Sequence, residues 1–166
     1  MEKILSTTAR IRFQDCDPFN HLNNSKYIDY FINAREDQIR EEYELDIFTL
    51  AGEQGVSWVV SSHQIHYLKP ATLMEKVVIE SRLFGYTGKS LHVEMCMWDE
   101  GRTQLKSVLW TQFIHISLKT QRPVDHSASL MELFANVLEP VPENSLAERI
   151  NALTKMRAVV PAKTNS

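Results

Sequence analysis

The chain has 166 residues, of which 43% are hydrophobic, so it is long enough to form one compact domain with a real core. Its formal charge of -3 at pH 7 argues against nucleic acid or an anionic membrane as a partner, because both attract basic surfaces. No stretch approaches the run of about 18 apolar residues that crosses a bilayer, and the chain start lacks the apolar core of a secretory signal. We therefore expect a cytoplasmic protein in which Cys16 and Cys96 are free thiols.

The first predicted elements are a short strand and a long helix. Apolar residues alternate with arginines over 8–13, which indicates a strand that has Phe13 on its apolar side and ends at an acidic turn. From 24 to 42 apolar residues recur at steps of three and four, which predicts a helix with a wide buried face. Asn23 or Asn24 would cap this helix, because a short amide side chain accepts hydrogen bonds from exposed backbone N–H groups.

Four further strands are predicted after a glycine turn at Gly52 and Gly55. They are bounded by short turns and cover 56–68, 76–84, 90–98 and 104–118. One strand, a long buried helix and then four consecutive strands imply an α+β fold in which a single antiparallel sheet curls around the helix. An outer strand of such a sheet has unpaired backbone groups, so we expect at least a homodimer, or a homotetramer.

The C-terminal part is predicted to be helical. Helices are expected over 129–138 and 146–156, separated by prolines, and the residues after Val160 are expected to be frayed. We accordingly divide the chain into a main domain, 1–125, and a C-terminal helical extension, 126–166, whose role the sequence leaves open.

The turn at 15–24, between the first strand and the helix, carries the chemistry. A helix start presents backbone N–H groups without intrahelical partners and a partial positive charge, so it can stabilise an oxyanion. A carboxylate beside it, such as Asp17, can attack a carbonyl or take a proton from water. A thioester is a suitable substrate for a carboxylate and backbone N–H donors alone, because its thiolate leaves without strong acid assistance. Cys16 is a weaker candidate nucleophile, since no adjacent residue in the sequence identifies a base for it.

Residues 12–35 resemble the 4-hydroxybenzoyl-CoA thioesterase family and its acyl-CoA thioesterase relatives in the hot-dog superfamily, and a weaker similarity continues through 65–71. The resemblance implies a hot-dog fold, an acyl-CoA substrate, Asp17 as the catalytic carboxylate and the backbone N–H near Asn24 as the oxyanion donor. No separate cofactor is implied, because coenzyme A is part of the substrate. The residues after Pro18 are more similar to the broad acyl-CoA branch than to the hydroxybenzoyl enzymes, so the acyl group stays open.

Five side chains are assigned to the site. We predict Asp17, His21 and Asn24 as catalytic residues, and Asn23 and Tyr27 as substrate-binding residues. His21 either holds the loop or orients water and substrate, and both asparagines are helix caps first. Tyr27 is expected to be a packed aromatic whose hydroxyl is tied to the loop rather than a proton donor.

Asp15, Glu36 and the histidines receive structural readings. Asp15 is expected to shape the turn, and Glu36 lies on the polar line of the helix, although another hot-dog branch places its catalytic carboxylate on that helix. His63 and His66 are three residues apart on one strand and therefore point to opposite faces, so no metal site is predicted.

Two rival functions remain open from the sequence. One is an enoyl-thioester hydratase or dehydratase of the same fold, although such enzymes have a shorter spacing between acid and histidine than Asp17 to His21. The other is a non-catalytic thioester-binding or scaffold module that uses the C-terminal extension for protein contacts. For the thioesterase reading, the acyl pocket is expected between subunits.

Overall fold

A computed structural model describes residues 1–158 and contains one five-stranded antiparallel sheet. The strands lie in the order β1-β3-β4-β5-β2, so β1 and β2 form the two edges. Their bounds are Ile4–Arg10 for β1, Val56–Tyr67 for β2, Lys76–Tyr86 for β3, Ser90–Asp99 for β4 and Leu105–Ser117 for β5.

The long helix α1, Tyr27–Tyr43, follows a 3-10 turn at Asn24–Lys26 and packs on one face of the sheet. Its Phe31 side chain is fully buried against core residues of the sheet, whereas Glu36 on the polar line is exposed. The buried face of α1 therefore packs against the sheet, and it is the apolar face that the sequence periodicity predicts. This arrangement confirms the expected hot-dog architecture.

Two local predictions were wrong, the end of the first strand and the turn before the second. Strand β1 ends at Arg10, and Phe13 lies in a 3-10 turn with 77% of its surface exposed, because the chain leaves the sheet after Ile11. A second helix, α2 at Ile47–Gln54, occupies the region where only a glycine turn was expected. Asp46 caps α2 by accepting hydrogen bonds from two backbone N–H groups, and Gly55 ends it in the left-handed conformation at φ 65°.

The C-terminal extension forms the two predicted helices, α3 at Ala128–Val137 and α4 at Leu146–Ala158. Helix α3 contributes Leu130, Phe134 and Val137 to the same core as α1. Helix α4 packs on the other face of the sheet, where it forms a second core of eight buried residues: Val78, Cys96, Trp98, Leu105, Val108, Leu146, Ile150 and Leu153. The sheet is thus covered on both faces, and the prediction for residues after Val160 lies outside the described part of the chain.

A buried ion-pair cluster joins α4 to the sheet. Glu94 of β4 is 1% exposed and accepts hydrogen bonds from Arg149 Nε at 2.8 Å and Nη2 at 2.9 Å. Trp110 Nε1 donates to the same carboxylate at 2.9 Å, and Arg82 Nε lies 3.2 Å from it. Because several donors satisfy the buried charge, it can be tolerated away from water.

Cys16 and Cys96 are free, as expected. Every helix within residues 1–158 is too short or too polar to span a membrane.

Candidate active site

The turn that carries Asp17 is built from hydrogen bonds to its own backbone. Asp17 Oδ1 accepts from Phe19 N at 2.8 Å and from His21 N at 3.1 Å, and Asp17 N donates to His21 O at 2.8 Å. Asn20 takes the left-handed conformation at φ 61°, which lets the chain reverse within four residues. Asp17 Oδ2 accepts no hydrogen bond from residues 1–158. One carboxylate oxygen therefore orients the group, and the second is available to a substrate or water.

Asp15 holds the turn against α1, in agreement with its structural reading. Its Oδ2 accepts from the Tyr30 hydroxyl at 2.7 Å, and the same hydroxyl accepts from Arg12 N at 3.0 Å. Burial and then the bond to Asp15 raise the pKa of Tyr30 to about 12, so the phenol stays protonated and keeps donating. The Asp15 backbone oxygen also accepts from Asn23 N at 2.9 Å, which fixes the entry into the helix.

Cys16 lies between the two acids but is a poor nucleophile. Its Sγ donates to Arg12 O at 3.4 Å. Burial raises the pKa of the Cys16 thiol, and the charges of Asp15 and Asp17 raise it further. A thiol is reactive as its thiolate, so this environment disfavours Cys16 as the attacking group.

The start of the helix combines a cap with an open donor. Asn23, rather than Asn24, is the cap, because its Oδ1 accepts from Ser25 N at 3.0 Å. The backbone N–H of Asn24 begins the 3-10 turn, and it donates to no atom of the described residues. The backbone carbonyl oxygen of Asn24 accepts from the Tyr67 hydroxyl at 2.9 Å, which connects the helix start to the end of β2.

Tyr27 is packed in the core beneath this turn. It is 2% exposed, and its ring meets the ring of Tyr67 edge-on with centroids 5.1 Å apart. Its hydroxyl accepts from Ala71 N at 3.1 Å, so the ring is tied to the segment after β2 and not to the acidic turn. Burial raises the pKa of Tyr27, which favours the protonated phenol.

His21 sits on the exposed side of the same turn. Its backbone forms an isolated bridge with Thr72, and its imidazole makes no hydrogen bond to residues 1–158. His21 therefore lies in the same turn as Asp17, and no hydrogen bond from residues 1–158 fixes the orientation of its ring. Both predicted roles of His21 stay predictions.

The other titratable candidates do not join this turn. His63 Nδ1 lies 2.8 Å from Thr111 Oγ1 on the neighbouring strand, and burial lowers the pKa of His63. Within residues 1–158 no group of three or more His, Cys, Asp or Glu side chains is arranged to hold a metal ion.

An apolar cavity of about 120 Å³ lies apart from the turn, and the sequence patterns did not identify it. It opens between α1, the segment that leads into α2, the sheet and α3. Its lining includes Ile32, Ile39, Trp58, Leu91, Phe113 and Leu133, with Arg35 and Glu36 as its charged members. Only the three-dimensional meeting of α1 and α3 creates this space. Because α3 contributes one wall, the C-terminal extension is part of the interior of the protein.

The comparisons with known proteins agree on one family. A family model described as the thioesterase-like superfamily matches residues 11–134. The chain is 27% identical over 128 residues to the long-chain acyl-CoA thioesterase FadM of Escherichia coli strain K12, a match that covers 77% of this chain and 95% of that protein.

Solved structures show the same architecture. YbaW, a probable thioesterase from Escherichia coli, superposes with a TM-score of 0.70 at 26% identity and covers 81% of this chain and 99% of its own. The hypothetical protein SAV2348 from Staphylococcus aureus, solved in complex with CoA, superposes with a TM-score of 0.76 at 17% identity over 90% of this chain and 94% of its own. At that identity the second likeness establishes the fold alone.

Proposed function

The chain belongs to the thioesterase-like superfamily, and we propose that it hydrolyses acyl-coenzyme A thioesters at the turn between β1 and α1. Asp17 is the reacting carboxylate, and the Asn24 N–H at the helix start stabilises the oxyanion. The substrate class is supported by the similarity to FadM, a long-chain acyl-CoA thioesterase, and by the CoA complex of the structural neighbour.

One observation carries this proposal: the Asp17 carboxylate is oriented through one oxygen and unengaged at the other. The two backbone N–H groups that donate to Oδ1 hold the carboxylate in place and so fix the direction of Oδ2. An aspartate that served only the turn would need the first oxygen alone. The second oxygen can therefore act on a thioester carbonyl or on a water molecule.

The chemistry can follow two routes. In the first, Asp17 Oδ2 attacks the carbonyl carbon, the C–S bond breaks, CoA leaves as a thiolate, and water cleaves the resulting anhydride. In the second, Asp17 removes a proton from water, which attacks the same carbon. In both, negative charge forms on the carbonyl oxygen, and one well-aimed backbone N–H stabilises that transition state by about 3 kcal/mol.

The remaining predicted residues support this centre. His21 either holds the turn or orients water and substrate, and its exposed imidazole, which makes no hydrogen bond to residues 1–158, is open to the second role. Asn23 holds the helix start through its cap, and Tyr27 forms the packed floor beneath it. Their contacts to substrate would be additional to these structural roles.

We also propose a homodimer formed through β2. This edge strand exposes 44% of Val59 and 45% of Val60, and its outward backbone groups can pair with a second copy. The opposite edge, β1, offers mainly Ser, Thr and Arg side chains on its exposed side. An isologous pairing of two β2 strands would extend the sheet across the dimer.

A thiol-release assay tests the proposed reaction. The wild-type protein is mixed with straight-chain acyl-CoAs of increasing length, with 4-hydroxybenzoyl-CoA and with an enoyl-CoA whose hydration is followed in parallel. The proposal expects stoichiometric release of thiol and free acid from at least one saturated acyl-CoA. Loss of the enoyl absorbance without thiol release would favour the hydratase, and no turnover of any thioester would favour a binding module.

Single-turnover hydrolysis in heavy-oxygen water tests for the nucleophilic route. The nucleophilic route expects heavy oxygen in the Asp17 carboxylate when the enzyme is in excess over acyl-CoA, because water can cleave the anhydride at the aspartyl carbon. Label confined to the released acid identifies attack of water at the acyl carbon, which both the general-base route and cleavage of the anhydride at its acyl carbon produce. Mass spectrometry of the peptide that contains Asp17 provides the readout.

A further inference from the structure

The apolar cavity between α1 and α3 contains a charge that the protein itself does not neutralise. Arg35 of α1 lines the cavity, is partly buried, and donates from Nη1 to Ser81 Oγ at 2.9 Å. Its guanidinium carbon lies 5.9 Å from the centre of the Tyr43 ring. Among residues 1–158, no aspartate or glutamate lies within ion-pair distance of Arg35.

The position of Arg35 is held by a buried polar chain. Ser81 Oγ, which accepts from Arg35, in turn donates to Gln38 Oε1, and Gln38 Nε2 donates to Ile79 O at 3.0 Å and to Thr7 Oγ1 at 3.2 Å. Gln38 and Ser81 are each 1% exposed. The chain links α1 to β3 and β1, so the guanidinium is anchored at the cavity wall.

An uncompensated cation in such a place is costly. Removing an ion from water is unfavourable unless a partner of opposite charge is present. Burial lowers the pKa of Arg35 to about 10, which still leaves it charged near neutral pH. An anionic group that entered the cavity would remove this penalty and could accept two parallel hydrogen bonds from the guanidinium.

The other charged wall residue is exposed. Glu36 also borders the cavity, but its side chain is exposed on the solvent side of α1. Adjacent residues of a helix do not face each other, so Glu36 does not pair with Arg35. The remaining lining is mostly aliphatic and aromatic. A suitable occupant thus combines an apolar chain with a single carboxylate, and the cavity volume is comparable with those that hold a benzene-sized molecule.

We propose that this cavity binds an aliphatic carboxylic acid, with its carboxylate on Arg35 and its chain against the apolar wall formed by α1, the sheet and α3. The site is distinct from the Asp17 turn, because Arg35 lies eight residues beyond Tyr27, about 12 Å along the helix axis. The choice of an aliphatic acid rests on the proposed function, since thioester hydrolysis releases such acids. Binding itself requires no turnover.

Calorimetric titration of the full chain with hexanoate and hexanol tests the site directly. The two probes share a chain and differ in charge. The wild-type protein should bind hexanoate about tenfold more tightly than hexanol, because only the carboxylate forms charge-assisted bonds with Arg35. Arg35→Met should erase that preference, whereas Arg35→Lys should keep part of it. Equal affinities in the wild type, or a preference that survives in folded Arg35→Met, would overturn the proposal.

Two further variants locate the ligand. Leu133→Trp fills the cavity from α3 and should abolish binding of both probes, while Glu36→Gln removes a neighbouring negative charge and should tighten hexanoate binding alone. Unchanged hexanoate affinity in Leu133→Trp would place the ligand outside this cavity and contradict the proposal. Circular dichroism and thermal melting confirm that each variant is folded.

Paired thioesters distinguish a free acid from a substrate that carries its own distal carboxylate. Decanoyl-CoA and the mono-CoA thioester of decanedioic acid are compared by kcat/KM in wild type and Arg35→Met. An Arg35-dependent preference for the dicarboxylic thioester assigns the carboxylate to the substrate, and hexanoate binding without that preference assigns it to a free acid. Absence of thioester turnover would defeat the proposed hydrolysis, but the calorimetric result would still decide the cavity site.

Discussion

At the scale of single residues, the two acids of the turn have separate tasks. Asp15 accepts from Tyr30 and so fastens the turn to α1, while Asp17 folds the turn through one oxygen and leaves the other open. The structural and catalytic readings of Asp17 are therefore compatible, because they use different oxygens. This division explains why two similar side chains separated by one residue differ in their proposed chemistry.

A buried histidine makes the free energy of unfolding depend on pH. His126 Nε2 accepts from Trp58 Nε1 at 3.0 Å and its Nδ1 lies 3.1 Å from Thr87 O, so the ring is neutral with its proton on Nδ1. Burial and the neighbouring His115 lower the pKa of His126, whereas the unfolded chain takes up this proton near pH 6.5. Below about that pH the unfolded state binds more protons, so the free energy of unfolding falls as the pH drops.

Denaturant unfolding between about pH 7.5 and pH 5.5 measures this effect. His126→Gln, whose amide oxygen can still accept from Trp58, should show a shallower fall than wild type. His66→Gln at an exposed site is the matched control and should leave the slope unchanged. Parallel curves for wild type and His126→Gln would refute the assignment of the pH dependence to this ring.

The sequence identified the residues of the turn but not how each of them bonds. Spacing alone indicated that Asp17 precedes a helix start and that Tyr27 is buried. It did not reveal that Tyr30 pairs with Asp15 or that Arg35 faces a cavity, because both depend on contacts between distant segments. The only sign in the sequence that Arg35 faces inward was its position, because it immediately precedes Glu36 on the polar line of α1 and does not lie on that line itself.

At the scale of elements, α4 is fastened to the sheet by the pair of Arg149 and Glu94. Arg149→Ala removes the two hydrogen bonds that Arg149 donates to the buried Glu94 carboxylate. Only Arg82 and Trp110 then remain beside that carboxylate. We expect the free energy of unfolding to fall by about 3 kcal/mol, because breaking a buried pair leaves an undercompensated charge. Urea denaturation measures the change.

An exposed pair supplies the control for this variant. Lys89 and Asp125 lie 2.7 Å apart with both side chains open to solvent, so Lys89→Ala should leave the urea midpoint almost unchanged. Adding Glu94→Gln to Arg149→Ala should recover part of the lost stability by removing the buried charge. An Arg149→Ala midpoint equal to wild type would mean that α4 is held by its apolar contacts alone.

Element prediction succeeded where periodicity was long and failed where it was short. The four later strands, α1, α3 and α4 follow sustained apolar patterns and occur within a few residues of their predicted bounds. Helix α2 has only eight residues and contains Gly52, so its composition resembled a turn, although the Asp46 cap was a readable start signal. The first strand was misplaced because Phe13 continues the alternation after the chain has left the sheet.

At the scale of the whole molecule, the fold leaves β2 as the edge best suited to pair with a second copy. Val59→Lys combined with Val60→Lys would place like charges together across an isologous β2 interface and should convert a dimer to a monomer. Thr8→Lys on the opposite edge should leave the dimer intact. Light scattering coupled to size exclusion reports the mass, and a dimer that persists in the double variant would exclude this interface.

The C-terminal extension belongs to the molecular interior as much as to its surface. Helix α3 closes the apolar cavity and α4 covers the sheet face opposite α1. A sheet covered on both faces leaves the two strand edges and the rim near the Asp17 turn for partners and substrate. The long separation between α3 and α1 in the chain explains why sequence patterns could predict both helices without predicting the cavity between them.

The most direct test of the account is the rate of thiol release by Asp17→Asn beside Asp15→Asn on the best acyl-CoA substrate. In Asp17→Asn the new amide oxygen can still accept from Phe19 and His21, so the turn should persist while the reacting oxygen is lost. We predict that kcat/KM falls by about 10²–10⁴-fold in Asp17→Asn and stays close to wild type in Asp15→Asn. A folded Asp17→Asn enzyme with wild-type kcat/KM would contradict the assignment of the chemistry to Asp17.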